Sequence, residues 1–353
     1  MTAPTAAVLT QGLFATINAK TAHGLVRGPS RYRLLGLVDP AGAGQDAGAL
    51  LDGKPRGIPC FASLQQLIAT AGRPDVAVVG VATSGGVLPA ELRAALLDAA
   101  QRGVGLVNGL HTFLGDDPEI AVAAARSGAS ILDLRRPKPR HELRFWTGEI
   151  RSVRAPRIAV LGTDCALGKR TTTQALLAAS RAAGLRAGMV YTGQTGWLQG
   201  VRHGFILDAT ANDFVSGELE RAVLDCDREE RPDVIFLEGQ SALRNPSGPC
   251  GAELLLSAGA RGVVLQHAPA RRFFDDQEEL GNEIPPVEQE VELIRLYGAR
   301  VLGLALNHEH LDATAREAAR EGLERATGLP AAYPLLEGVD RLMPALRAHL
   351  ERQ

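Results

Sequence analysis

The segment Gly162-Thr-Asp-Cys-Ala-Leu-Gly-Lys-Arg-Thr171 follows the apolar run "RIAVL" and leads into a helical pattern. A strand ending in such a loop and continuing as a helix offers successive backbone N–H groups, a helix N-terminus and a lysine, Lys169, to an anion. The chemistry implied is the holding of phosphate oxygens. Two departures from the usual phosphate-loop pattern narrow that reading. Five residues separate Gly162 from Gly168 instead of four, and Arg170 stands where a Ser or Thr would hold magnesium. A guanidinium cannot coordinate a cation and adds positive charge beside Lys169. Thr171 comes one position late, a rotation of about 100° on a helix. Two uses remain: metal-poor binding of a phosphate-bearing cofactor by Gly162, Thr163, Asp164, Cys165, Ala166, Leu167, Gly168, Lys169, Arg170 and Thr171, or NTP binding with a rearranged metal shell. Cys165 lies near a helix N-terminus, where a thiolate is favoured, so an acyl-cysteine competes with a purely backbone role.

Other candidates follow apolar runs further along the chain. Glu238 directly follows "DVIFL", the place of a Walker-B-like acid that takes a proton or holds a metal; a hydrogen-bonded structural acid is the alternative. His267 ends "RGVVLQH" and can shuttle protons or bind a carboxylate, with the basic pair Arg271 and Arg272 close behind. Gln194, Thr195 and Trp197 lie between glycines that let backbone approach a ligand, although Trp197 can equally be a packing residue. Asp208 and Asp213 flank the start of a helix, where Asp213 also suits a simple helix-terminal carboxylate. Near the N-terminus, "TQGLFATINAK" offers one glycine and no Gly-x-Gly-x-x-Gly, which weakens a dinucleotide reading. Gly85, Gly86, His111, Asp116 and Asp117 either complete a cleft or serve as turn and cap residues, and the second reading is favoured.

These residues must be carried by sheets. Short apolar runs alternate with amphipathic segments throughout, which predicts parallel strands covered on both faces by helices. The Pro- and Arg-rich stretch "RPKPRHELRFWTGEIRSVRAPR" interrupts the pattern. The expected architecture is α/β with two doubly wound domains: a Rossmann-like domain over 1–140 and a P-loop NTPase-like domain over 141–353. In a doubly wound sheet ligands sit outside the C-terminal ends of the strands, so the candidates of the second half are expected to gather at one edge.

Lys plus Arg number 38 against 40 Asp plus Glu, so no broad nucleic-acid or anionic-membrane footprint is expected. Cys60, Cys165, Cys226 and Cys250 form no Cys-x-x-Cys pair, which argues against a zinc site or a disulfide framework. A cytoplasmic, membrane-free protein without a metal site is expected, as a homo-oligomer acting on a small molecule.

Taken together, "GTDCALGK", "TGQTGWLQG", "DFVSGELE", "LEGQ" and "GLHTFLGDDPE" resemble a family of Rossmann-like plus P-loop-like proteins, some described as D-glutamate N-acetyltransferases. The similarity spans nearly the whole chain. It implies acetyl transfer from acetyl-CoA to the amine of D-glutamate in D-amino-acid metabolism, with Gly162 to Thr171 as the CoA-binding element. Such a loop need only bind phosphate and not organise metal for phosphoryl transfer, which makes Arg170 tolerable. Amide formation then needs a base, for which Glu238 or His267 is the candidate. It also needs oxyanion donors, from the loop backbone or Lys169, and carboxylate partners, for which Arg271 and Arg272 are suited. The alternatives are an ATP-dependent enzyme of the dethiobiotin synthetase type, with Asp164, Thr171 and Glu238 sharing magnesium, and a nucleotide-responsive binding protein.

Overall fold

The computed structural model describes residues 3–83 and 86–352 and divides the chain into two α/β units. The first comprises residues 1–137 together with 194–200, and the second 138–193 together with 201–353.

The first unit carries strands β1 (Thr5–Leu9), β2 (Arg33–Val38), β3 (Cys60–Phe61), β4 (Val76–Val79), β5 (Gly105–Asn108) and β6 (Ile131–Asp133). Helices α1 (Lys20–Arg27), α2 (Ala47–Asp52), α3 (Leu64–Ala71), α4 (Ala90–Gln101) and α5 (Pro118–Ser127) connect them. All pairings are parallel, in the order β3-β2-β1-β4-β5-β6. That is the Rossmann order. Both faces are packed: Ala7 and Leu9 of β1 enter one apolar cluster while Ala6 and Val8 enter another. A period of two with no polar face requires an apolar residue at every position, which is why these strands read as continuous runs.

The second unit contains β7 (Arg157–Gly162), α6 (Lys169–Ala182), β8 (Ala187–Tyr191), β9 (His203–Gly204), α8 (Asn212–Glu230), β10 (Val234–Glu238), α9 (Ala252–Leu256), β11 (Gly262–His267) and α10 (Val287–Leu296). It ends with β12 (Arg300–Leu306), α11 (Ala313–Thr327), β13 (Ala331–Ala332), α12 (Pro334–Glu337) and α13 (Met343–Leu350). Its sheet is parallel throughout, ordered β13-β12-β11-β7-β10-β8-β9, so β7 is central with β10 and β11 as immediate neighbours. Ile158 and Val160 face one cluster, Ala159 and Leu161 the other.

Helix α7 (Gln194–Leu198) departs from expectation. It follows β8 in sequence but belongs to the first unit. There the Thr195 hydroxyl lies 3.2 Å from that of Thr21, and Arg135 donates to Gln194 Oε1 at 3.1 Å. Gln199 Nε2 donates to the Gly24 carbonyl at 2.9 Å, and the Arg31 guanidinium stacks 4.1 Å over the Trp197 ring. Strand periodicity registers where β8 stops and is silent about which core the next turn joins.

The segment after Pro137 is held by the "GELE" portion of α8. Buried Glu218 accepts from Lys138 Nζ at 2.7 Å and from the Arg144 N–H at 3.2 Å. Buried Glu220 accepts from Thr147 N–H and hydroxyl at 2.7 and 2.9 Å and from Ile150 N–H at 3.0 Å. Gly217 permits this approach, because a Cβ there would overlap the Arg144 carbonyl oxygen.

Among the described residues no helix is long and apolar enough to cross a membrane.

Candidate active site at the phosphate loop

β7 delivers Gly162 into the loop, and α6 begins at Lys169. Gly168 has φ +106°, in the range glycine favours, and Ala166 turns at φ +52°, a conformation costing a non-glycine residue roughly 1–2 kcal/mol. The turn sends the Lys169 chain back under the loop, where a Cβ on Gly162 would lie 3.1 Å from Nζ. Lys169 is only 6% exposed and donates to the Asp164 carbonyl at 2.6 Å. Burial depresses its pKa, with the nearby Cys165 and Asp164 opposing that shift.

Asp164 is wholly buried and braces the loop from below. Its Oδ1 accepts from Asn245 Nδ2 at 3.0 Å; its Oδ2 accepts from Arg271 at 2.8 Å and from the Asp275 N–H at 2.9 Å. Arg271 also donates to the Cys165 carbonyl at 2.9 Å, tying two consecutive loop residues to one guanidinium. Asn245 in turn accepts from Ser247 N–H and hydroxyl and from Gln277 Nε2 at 3.0, 2.8 and 3.0 Å. The Cys165 thiol points to the Ser241 hydroxyl at 3.4 Å.

β11 supports the other side. Thr163 N–H donates to the Gln266 carbonyl at 3.0 Å, and Thr163 Oγ1 lies 2.9 Å from His267 Nδ1. Burial, reinforced by Arg271, lowers the His267 pKa from 6.5 to about 4, so the imidazole is neutral at physiological pH. The Thr172 hydroxyl donates to Gln266 Oε1 at 2.5 Å, and Asn307 Nδ2 donates to the Leu167 carbonyl at 3.3 Å. Leu167 is buried, whereas Thr171 is half-buried on α6.

β10 places Glu238 one strand away, with its backbone in register with Val160 of β7. The next residue, Gly239, cannot be larger, because a Cβ would overlap the Val160 carbonyl oxygen. Glu238 is 4% exposed, and its Oε2 accepts from the Thr192 N–H at 3.0 Å. Burial raises its pKa; the positive charge of Arg170 is the largest influence in the other direction. Arg170 therefore serves as a charge beside Glu238.

The loop, Lys169, Arg170, Glu238, His267 and Arg271 thus share the C-terminal ends of β7, β10 and β11. Arg272 does not join them: it is exposed, pairs with Glu283 at 2.6 Å and stacks 5.0 Å from the Phe273 ring. Asp213 lies exposed in the first turn of α8, and Asp208 is exposed in a 3-10 turn over Leu207–Ala209. Gln194, Thr195 and Trp197 belong to the first unit and not to the sheet whose strand order suggested their place.

Asn245, Gln266, Asp275 and Thr192 are the supporting residues that sequence reasoning passes over. Gln266 carried a signal in its position beside His267 at a strand end, and Thr192 in opening "TGQTGWLQG"; Asn245 and Asp275 carried none.

Inside the first unit the nucleotide-binding features are taken up internally. Asp39, just past β2, accepts from the Thr10 hydroxyl at 2.7 Å and from Gly12 and Phe14 N–H at 2.9 and 3.1 Å. An acid at that position of a dinucleotide fold would otherwise reach a ribose. Asp117 caps α5 and pairs with Arg93 at 2.6 Å, and Asp116 pairs with Arg136 at 2.7 Å. A Cβ on Gly86 would sit 2.4 Å from the His111 ring, so those two residues are closely packed; Gly85 lies outside the described residues.

Residues 40–137 match the Rossmann-like DUF1611_N domain of unknown function, and residues 144–343 match the DUF1611 P-loop domain of unknown function. The chain belongs to the DUF1611 family. A crystal structure of a DUF1611 family protein from Anabaena variabilis superposes with a TM-score of 0.87 at 28% identity, covering 98% of this chain and 99% of that one. Two curated relatives carry the name D-glutamate N-acetyltransferase. The protein from Tritonibacter scottomollicae is 32% identical over 77% of this chain and 80% of its own length. That from Pseudoalteromonas is 29% identical over 76% and 80%. The two-domain plan of this family corresponds to the Rossmann-ordered sheet and the P-loop sheet described above.

Proposed function

We propose that this DUF1611 protein transfers the acetyl group of acetyl-CoA to the amino group of D-glutamate or a close acidic relative. One observation carries the reading: the phosphate loop is built for anions without a cation. Its lysine is followed by an arginine, and both oxygens of its one acid, Asp164, are engaged by Asn245, Arg271 and a backbone N–H. CoA brings a pyrophosphate and a 3′-phosphate, which suit such a loop. The names of the two relatives supply the reaction and the amino acid.

The substrate ammonium loses a proton, its nitrogen attacks the thioester carbonyl, and the oxyanion collapses with loss of the CoA thiolate. The balance is acetyl-CoA plus ammonium giving amide, CoA thiol and one proton. Glu238 suits the base role better than His267. Burial moves the carboxylate towards the pKa of an amine, whereas His267, at about 4, is a weaker base than an ordinary imidazole. Lys169 and the loop N–H groups are suited to the oxyanion or to phosphate once Lys169 leaves the Asp164 carbonyl. Arg271 acts through Asp164 and Cys165 as a positioning residue.

The test is CoA-thiol release from acetyl-CoA by the purified protein without nucleotide or added metal, across D- and L-amino acids. Release with D-glutamate that falls at least about a hundredfold in Glu238→Gln, with acetyl-CoA binding retained, supports the reading. No release with any amine, but ADP formation on addition of ATP, magnesium and a carboxylate, refutes it.

A further inference from the structure

A second constellation lies at the far edge of the same sheet and takes no part in the proposed reaction. Cys226 and Glu230 are one helical turn apart on α8, so they share a face. His203 is the first residue of the two-residue edge strand β9. The Cys226 sulfur, a His203 ring nitrogen and a Glu230 carboxylate oxygen all fall within 4.8 Å of one another.

Two further observations point to a ligand. His203 is 6% exposed, and its Nε2 faces the carboxylates of Glu230 and Glu229. The nitrogen is 3.2 Å from Glu230 Oε1, where the imidazole holds that carboxyl below its usual range, and 3.9 Å from Glu229 Oε2. The imidazole nitrogen and the carboxylate oxygen thus already stand at about the spacing of two ligands on one ion. Opposite, β8 presents Gly188, where a Cβ would stand 2.6 Å from the Cys226 sulfur and 3.4 Å from Glu230 Oε2. A side chain there would collide with the Cys226 sulfur, so glycine is what allows the thiol and the Glu230 carboxylate to sit together against β8.

We infer that His203, Cys226 and Glu230 form a site for one divalent transition metal, zinc above all, joining edge strand β9 to helix α8. One imidazole, one thiolate and one carboxylate are zinc donors, whereas calcium and magnesium take all-oxygen shells. Zinc–nitrogen and zinc–oxygen bonds of about 2.1 Å at the tetrahedral angle separate neighbouring donors by about 3.4 Å, close to the separation already present. The sulfur, within 4.8 Å of both, completes the set. Glu230 is partly exposed, which leaves room for a water as fourth ligand. The neighbouring cations are turned to other groups: Arg202 pairs with Glu229 at 2.5 Å, and Arg181 donates to the Ala187 carbonyl at 3.0 and 2.7 Å. Binding replaces the S–H bond with a metal–sulfur bond and releases the proton to solvent. The absence of Cys-x-x-Cys hid this set, because its ligands come from a helix and a separate strand.

The test uses the full chain, stripped of metal and kept reduced, titrated with Co²⁺ and then with Zn²⁺. The expected result is a sulfur-to-cobalt charge-transfer band that saturates at one equivalent per chain and is abolished by zinc. The band is lost in Cys226→Ser and His203→Gln and weakened in Glu230→Gln. Zinc also raises the Tm of the wild type but not of Cys226→Ser. Circular dichroism of each metal-free variant establishes that it is folded, and the partly exposed Glu230 provides a variant with little folding risk. Absence of a stoichiometric band, or a band that persists in Cys226→Ser, overturns the assignment. Neither outcome depends on acetyl transfer.

Discussion

Replacing Asp164 with asparagine probes the brace under the phosphate loop without changing its volume. The carboxylate accepts from three donors: Asn245 Nδ2, Arg271 and the Asp275 N–H. An amide can keep its oxygen towards Arg271 and Asp275 only by turning its NH₂ towards Asn245 Nδ2, setting donor against donor. Asn245 cannot flip to relieve the conflict, because its own oxygen accepts from Ser247 and Gln277. One unsatisfied buried donor costs about 1–3 kcal/mol, and loss of the charge behind the Arg271 hydrogen bond adds about 1–2 kcal/mol. The total, roughly 2–5 kcal/mol, corresponds to a fall in Tm of roughly 5–15 °C for a unit of this size. Because Arg271 also holds the Cys165 carbonyl, the loop is expected to loosen, and under the proposed acetyl transfer the KM for acetyl-CoA is expected to rise more than kcat falls. Thermal unfolding followed by circular dichroism, paired with CoA-thiol release over a range of acetyl-CoA concentrations, measures both effects. A Tm within a degree of wild type together with an unchanged KM would refute the brace and return Asp164 to the pool of metal ligands.

The two arginines of "PARR" are expected to part company. Arg272→Ala removes an exposed ion pair worth about 0–1 kcal/mol and leaves activity within about twofold, whereas Arg271→Ala reproduces the Asp164→Asn phenotype; steady-state assays of both separate them. His267, with a folded pKa of about 4 against an ordinary 6.5, contributes stability that is present above about pH 6.5 and lost as the pH falls towards 4. Urea unfolding at pH 7 and pH 5 is expected to show a smaller loss in His267→Gln than in the wild type. Gly217→Ala forces a methyl group against the Arg144 carbonyl and is expected to cost about 1–3 kcal/mol and to expose the 138–150 segment to limited proteolysis, with little change in kcat of the intact protein.

Much of the fold is legible in the sequence, because parallel sheets buried on both faces write themselves as apolar runs separated by helical periods. "RIAVL" and "DVIFL" become β7 and β10, and the loop between strand and helix stands where local pattern put it. Departures from the usual loop pattern are equally local, so the loss of a magnesium-holding hydroxyl at position 170 is read from its immediate neighbours in the chain, whereas its charge beside Glu238 is not. Glu238 and His267 are visible as strand-end residues, but the opposite shifts of their pKa values are not, because the burial that dominates both is set by packing against distant elements and the charge opposing it at Glu238 comes from Arg170, far upstream.

Tertiary structure alone assigned Gln194, Thr195 and Trp197 to the first unit, since the hydroxyl of Thr21 and the side chain of Arg135 that meet them lie far upstream. It alone turned Arg271 inward to Asp164 and Arg272 outward to Glu283, two adjacent residues whose types are identical in sequence. It also made Glu218 and Glu220 grips on the segment after Pro137, and brought His203 to Cys226 and Glu230. The sequence by itself determined which residues can form strands, helices and an anion-binding turn, because those depend on neighbours within a few positions. Which charged side chains meet, and which are left facing one another in a buried pocket, was decided by strand order and helix packing, which bring together residues tens of positions apart.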